Sequence, residues 1–289
     1  MKTFLYEQYG YYFDLDEEWS FEFENFKFKL IKVTLGEEEF VSMENHLKVI
    51  KEKFNNLGPH LIKNKYNKYI SYLNNEGFAL IAIYKKEMTF ADLKLFHDLF
   101  FDYQNKIELK TLLSVWKNRV EAIEKNISSF LNSNDFFYLE NMEKIMFYLG
   151  LATNAMQYVS DIMYDHGENV YGVCLSHKRL FSLNSFEFLN PMNFLVSSPY
   201  KDISMLYQRD LIDDKSLECL LSEYKVDPLG AKLLMARLLY RCDFFDVLEK
   251  KESLHTEIYN IEREISKIKK AYSLLRTKYQ IRPIDWLEN

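Results

Sequence analysis

The sequence is short of the residues that usually punctuate or brace a chain. It has 8 glycines, 5 prolines and 3 cysteines in 289 residues. Cys174, Cys219 and Cys242 are far apart and form neither a CxxC pair nor a Cys/His cluster with zinc spacing. This excludes a disulfide framework and a structural zinc site, and free thiols of a reducing compartment are expected. Long apolar runs are also missing. The longest uncharged stretch, Ile145 to Ser160, contains Asn154, Gln157 and Ser160 and is too short to cross a bilayer. The opening MKTFLYEQYG lacks the apolar core and small-residue cleavage site of a signal peptide. Together these absences predict a soluble cytoplasmic chain with no membrane partner.

An excess of positive charge is absent as well. Lys and Arg total 37 against 43 Asp and Glu, for a formal charge of -6, so nucleic acid is not an expected partner. What the chain does have is apolar surface to bury. Hydrophobic residues make up 48%, with 21 Tyr and 23 Phe spread evenly, which is too apolar for long disorder.

The apolar residues change period along the chain. In the first 35 residues they alternate as in strands. Phe21 and Phe23 face away from Glu22 and Glu24; after a turn at Glu24-Asn25, Phe26, Phe28 and Leu30 alternate with Lys27 and Lys29. Phe40, Met43, Leu47, Ile50 and Phe54 then recur at helical steps until Gly58-Pro59. Strands are expected at Lys68–Leu73 and Phe78–Tyr84, joined by a turn at Asn74-Asn75-Glu76-Gly77. From Thr89, a plausible N-cap with Asp92 three residues on, the period is helical almost throughout. A stripe runs from Leu109 through Trp116, Val120, Ile123 and Ile127 to Phe130, and another helix from about Phe136 to Met163. Val170–Leu175 reads as a short buried strand, followed by an irregular segment to about Lys201. A last helical stripe takes in Leu254, Ile258, Ile261, Ile265, Ile268 and Leu275. The expected fold is α+β, with a β-rich N-terminal lobe over 1–86 carrying one helix and a helical C-terminal lobe over 87–289.

The irregular segment holds the distinctive residues. His177-Lys178-Arg179 follows the short strand and Asn184 comes five residues after Arg179. A kinase catalytic loop has a related form, with an Asp where Arg179 stands. Asp202-Ile203-Ser204 follows, and about a dozen residues before it stands Asn190. In the β-rich region, Leu30-Ile31-Lys32-Val33 is followed by a helix carrying Glu44. On these residues the chain resembles the aminoglycoside phosphotransferase-like kinases, and among them the spore-coat-kinase-like branch of spore-forming bacteria. The resemblance implies a bilobal kinase-like fold, with Lys32 and Glu44 as the phosphate-binding Lys and its partner, and Asp202 as a structural acid holding the loop. It implies cytoplasmic or spore-coat localisation.

The departures from that family pattern bear on function. Arg179 stands at the place of the catalytic base, yet it has no acceptor and stays protonated. Asn190 stands at the place of a metal-binding Asp and is a neutral ligand, so no metal site is expected. Glu187 is nearby but wrongly spaced for either role. No catalytic residue set is intact, and the expected function is that of a pseudokinase acting as a binding, scaffold or coat-associated protein. ATP or another anion, held without Mg²⁺ by Lys32, Lys178 and Arg179, is the expected ligand, alongside an unidentified protein partner. An active ATP-dependent small-molecule phosphotransferase with relocated acids is the alternative. Blander readings stand beside these: His177 as a structural histidine, Lys178-Arg179 as a solvated pair, Lys32 and Glu44 as surface residues, and Asp202 as a helix N-cap.

Overall fold

The structure, a computed structural model, describes residues 1–54, 57–131, 136–254 and 257–288. Sheet dominates the N-terminal region and helix the C-terminal region, as the change of period predicts. The chain opens differently from expectation. Residues 2–9 form a helix, α1 (Lys2–Tyr9), which buries Phe4 and Leu5 and ends on Gly10 at φ 82°. The left-handed residue after its last turn is a helix stop that glycine adopts readily.

The hairpin β1 (Ser20–Phe23) and β2 (Phe26–Val33) turns at Glu24, and α2 (Glu37–Lys53) follows. Then come β3 (His60–Ile62), β4 (Ile70–Leu73) and β5 (Glu76–Tyr84). β5 is central: β2 pairs along one edge, and β3 and β4 share the other, all antiparallel. Strand period two sorts the side chains onto two faces. Phe28, Leu30, Phe78, Leu80 and Ala82 pack with Phe21 and with Phe4 and Leu5 of α1. On the opposite face Ala79 joins Ile70, Tyr69 and Phe40 of α2.

α3 (Phe90–Leu99) begins at Thr89, whose N–H and hydroxyl both bond to Asp92 while the Asp92 N–H bonds back to Thr89. Cα proximity divides the chain into two compact units, Met1–Leu99 with Ser182–Leu195, and Phe100–Phe181 with Val196–Asn289. The expected boundary after residue 86 follows the change of period, whereas the spatial division follows packing. Phe96 of α3 contacts Phe188 and Phe194 at ring distances of 5.4 and 5.1 Å, which keeps α3 and the returning segment with the sheet.

The second unit starts with β6 (Asp102–Glu108), α4 (Leu109–Leu131), α5 (Phe136–His166) and β7 (Asn169–His177). The side chain of Phe130 lies outside those described. The returning segment holds α6 (Ser185–Phe188), a 3-10 turn at Pro191–Asn193 and β8 (Phe194–Ser197); the strands order β6-β7-β8. Then follow α7 (Tyr200–Gln208), α8 (Asp214–Glu223), α9 (Pro228–Leu239), α10 (Cys242–Glu249), α11 (Ile261–Tyr279) and α12 (Asp285–Glu288). α9 is the hub, packed by α5, α7 and α11. The helix expected from Leu254 is α11, which starts at Ile261, where the Asn260 side chain accepts the Arg263 N–H and caps it.

Candidate functional site

The residues singled out in the sequence fall in both units. His177, Lys178, Arg179 and Asp202 belong to the second; Lys32, Glu44, Asn184 and Asn190 belong to the first.

In the second unit β7 ends at His177, and α7 brings up Asp202. Both side chains are fully buried. One Asp202 oxygen accepts the His177 backbone N–H at 3.0 Å, and the other lies 2.6 Å from His177 Nδ1. Asp202 therefore fixes both the backbone and the ring at the point where strand becomes loop. The neighbouring Lys201 bonds from the same helix to the carbonyls of His177 and Lys178. Burial pushes its ammonium down to about 8.

Arg179 projects onto Asp246 of α10. Its Nε and Nη2 engage both carboxylate oxygens, with Nη2 at 2.6 Å. Arg119 of α4 bonds the same carboxylate at 2.6 Å and grips Glu249 through two further bonds of 2.7 and 2.8 Å. Two arginines thus share one aspartate. Burial alone would raise the Asp246 carboxyl, but hydrogen bonds from Arg179 and Arg119 outweigh it and hold it below the usual carboxylate range. A carboxylate so stabilised is a poor proton acceptor. Asp246 thus lies beside the loop as an ion-paired carboxylate. Arg179, expected to be a cation for a bound anion, has its Nε and Nη2 engaged by Asp246.

In the first unit a pocket of about 770 Å³ opens on the β2 side of the sheet. Lys27, Lys29, Lys85 and Lys86 line it with Glu18, Glu87 and Glu187, and with Asn184, Ser185, Phe186 and Asn190. Lys32 lies on the other face of β2. It has the parity of Phe28 and Leu30, sits opposite Phe78, and pairs with Glu76 at 2.5 Å. The expected pairing of Lys32 with Glu44 is therefore not formed. Glu44 lines a separate cavity of about 170 Å³ with Lys48 and Lys51. The sequence reading missed Lys27 and Lys29, although the signal was present: they occupy the polar parity of β2. Their ammonium groups lie 5.6 and 5.8 Å from the Phe186 ring centre. Lys29 also pairs with Glu18 at 2.8 Å, Lys85 with Glu22 at 2.7 Å and Lys86 with Asp92 at 3.6 Å.

Two features limit what the pocket can hold. Asn184 and Asn190 each use the side-chain oxygen as a cap, accepting the N–H of Glu187 at 2.9 Å and of Met192 at 3.1 Å. Among the described residues no group of three or more His, Cys, Asp or Glu is placed to hold a metal. A neutral amide already engaged by the backbone does not fit the anionic oxygen ligand that magnesium requires. The strip leaving β5 is also occupied. Ser185 donates its hydroxyl to Tyr84 O at 2.5 Å, accepts the Lys86 N–H at 3.0 Å and donates its own N–H to Lys86 O at 2.8 Å. Met88 N–H bonds to Leu183 O at 2.7 Å.

These features define a kinase-like fold of the phosphotransferase type. It is similar to a spectinomycin phosphotransferase solved with ADP and spectinomycin, with a TM-score of 0.52 and 10% identity over 95% of this chain and 96% of that one. An aminoglycoside phosphotransferase from Alicyclobacillus acidocaldarius matches over 95% of this chain and 92% of that one, with a TM-score of 0.46 and 9% identity. No curated protein matches the sequence. Residues 2–274 match the family described as spore coat putative kinase YutH, and the chain belongs to that family.

Proposed function

We propose that this protein is a catalytically degenerate phosphotransferase-fold protein that binds an anionic ligand without turning it over, in association with the spore coat. The observation that carries the reading is the ion pair of Arg179 with Asp246. Phosphoryl transfer to a hydroxyl needs a positioned proton acceptor and metal-borne charge neutralisation. A guanidinium fills the first place and a capping amide, Asn190, the second. The four lysines of the first-unit pocket outnumber its three lining glutamates and supply an excess of positive charge without a metal. Because Ser185 and Leu183 occupy the backbone groups of residues 84–88 on one edge, the ligand's phosphate or carboxylate, and not a base read at that edge, provides the affinity. The family description supports the coat association.

The test has two parts. Purified protein with ATP and Mg²⁺ is expected to show neither hydrolysis nor transfer above a denatured control. Thermal-shift titration with ATP or inorganic phosphate is expected to stabilise the protein equally in Mg²⁺ and in EDTA. At tenfold excess over Kd the stabilisation is about 1.4 kcal/mol. It should weaken in Lys27→Ala and Lys29→Ala and persist in Arg179→Ala. Turnover that disappears on mutating a pocket residue would establish the active-phosphotransferase alternative; a shift that requires Mg²⁺ would refute metal-independent binding.

A further inference from the structure

A second concave site lies in the second unit, away from the loop at His177. It is a pocket of about 400 Å³ formed where the starts of β6, β7 and α7 meet the turn between α8 and α9. Its walls are aromatic: Phe101, Tyr103, Tyr171, Tyr200 and Tyr224. Tyr171 and His177 are six residues apart on β7, or about 20 Å, so this is not part of the loop described above.

Two of the chain's few glycines build this shape. A Cβ at Gly172, where φ is +81°, would lie 2.9 Å from Phe101 Cζ; one at Gly230 would lie 2.2 Å from the Tyr200 hydroxyl. Both positions let an aromatic ring lie directly against main chain, which no other residue permits. Phe101 is further held edge-to-face by Tyr103, with ring centres 4.6 Å apart. Yet the outer rings remain in water, with Tyr103 81% and Tyr171 63% exposed. Exposed rings beside rings packed on main chain are the arrangement of a stacking surface and not of a core.

The rim restricts the ligand's charge. Lys225 and Asp227 both line the pocket, one of each sign. An anion would meet Asp227 and a cation Lys225, so the balance favours a neutral ligand. That ligand must offer apolar faces to tyrosine rings and hydroxyl groups to an ammonium, a carboxylate and phenols. A pyranose does both: its C–H face is weakly positive and stacks on the negative face of an aromatic ring, while its hydroxyls point outward to the rim. The volume lies within the range of about 300–1,000 Å³ usual for small-ligand sites. From this geometry we infer that the pocket is a binding site for a neutral carbohydrate, one or two sugar units of which fill it.

Saturation-transfer NMR on the full chain tests this, with maltotetraose and an N-acetylglucosamine tetramer as probes. Irradiating the aromatic protons is expected to saturate C–H protons of at least one tetrasaccharide. Tyr171→Ala and Tyr103→Ala, both at exposed rings, should weaken that binding about tenfold while circular dichroism stays that of the native fold. Lys29→Ala, in the first-unit pocket, should leave it unchanged. Glucosamine and glucose 6-phosphate, cationic and anionic, should each bind more weakly than glucose. The inference fails if neither tetrasaccharide receives saturation at millimolar concentration. It also fails if Tyr171→Ala has no effect, or if a proline-rich decapeptide binds in the sugars' place.

Discussion

At the scale of single residues, one fully buried carboxylate holds the loop. Asp202 accepts from the His177 N–H and contacts its imidazole, both without solvent access. Removing it takes away the buried acceptor of the His177 N–H. Asp202→Ala is therefore expected to lower stability by about 2 kcal/mol or more, measured by urea denaturation; a loss within about 0.5 kcal/mol, the range of surface changes, would show a mere helix cap. Arg179 is governed by its partner in the same way. Arg179→Asp would set a second carboxylate beside Asp246, which then keeps only Arg119 of its two guanidinium partners. The variant should lose about 2 kcal/mol and gain no phosphotransfer, because Asn190 is unchanged. ATP turnover appearing in this variant would contradict that account.

At the scale of elements, helix ends and helix-borne cations decide how segments meet. The Thr89–Asp92 reciprocal bonds start α3, and Asp92→Ala should cost about 1 kcal/mol in the same denaturation experiment. Lys201 couples α7 to the end of β7 through two carbonyls. Burial lowers it from 10.5 to about 8, so the unfolded chain binds this proton more tightly than the native state. Stability from this group accordingly rises with pH between about 8 and 10.5, and its penalty is fully present below 8. The full penalty is on the order of 3 kcal/mol. Wild type should therefore gain stability relative to Lys201→Met as pH rises from 8 toward 9.5, a comparison in which the buried tyrosines cancel. An unchanged difference between the two proteins across that interval would dismiss the lysine's role.

At the scale of the whole molecule, charge and redox state set the conduct of the protein. None of the three cysteines is in a disulfide, with Cys174 buried and Cys219 exposed. A reducing agent should leave the melting temperature unchanged; a drop would reveal a disulfide. The net charge is -6, yet the first-unit pocket gathers four lysines against three glutamates. Phosphate binding there is expected to weaken steeply with salt, because at molar ionic strength screening reaches about 3 Å. Salt-insensitive binding would place the anion elsewhere.

The sequence by itself determined the order of the elements and the class of fold. Period two in residues 20–33 and 76–84 and helical period after Thr89 are local properties, and burying one face of each element leaves few architectures. It also led to the expectation that Arg179 and Asn190 stand where the family it resembles has acids, a reading of residue identity and spacing alone. It did not register α1, whose eight residues carry too little pattern, the short strands β3 and β8, or the polar strand β6. Nor did it place the cations: Lys32 and Lys29 look alike in a lysine-rich strand, and only the pairing with β5 and the packing of α1 assign them to opposite faces. Arg179 meets Asp246 across 67 residues and Arg119 meets it across 127. Such contacts arise from how helices pack, and no spacing along the chain encodes them. The tertiary structure alone therefore decided that Arg179 is locked on Asp246, that Lys27 and Lys29 and not Lys32 line the first-unit pocket, and that two scarce glycines face aromatic rings in a second pocket.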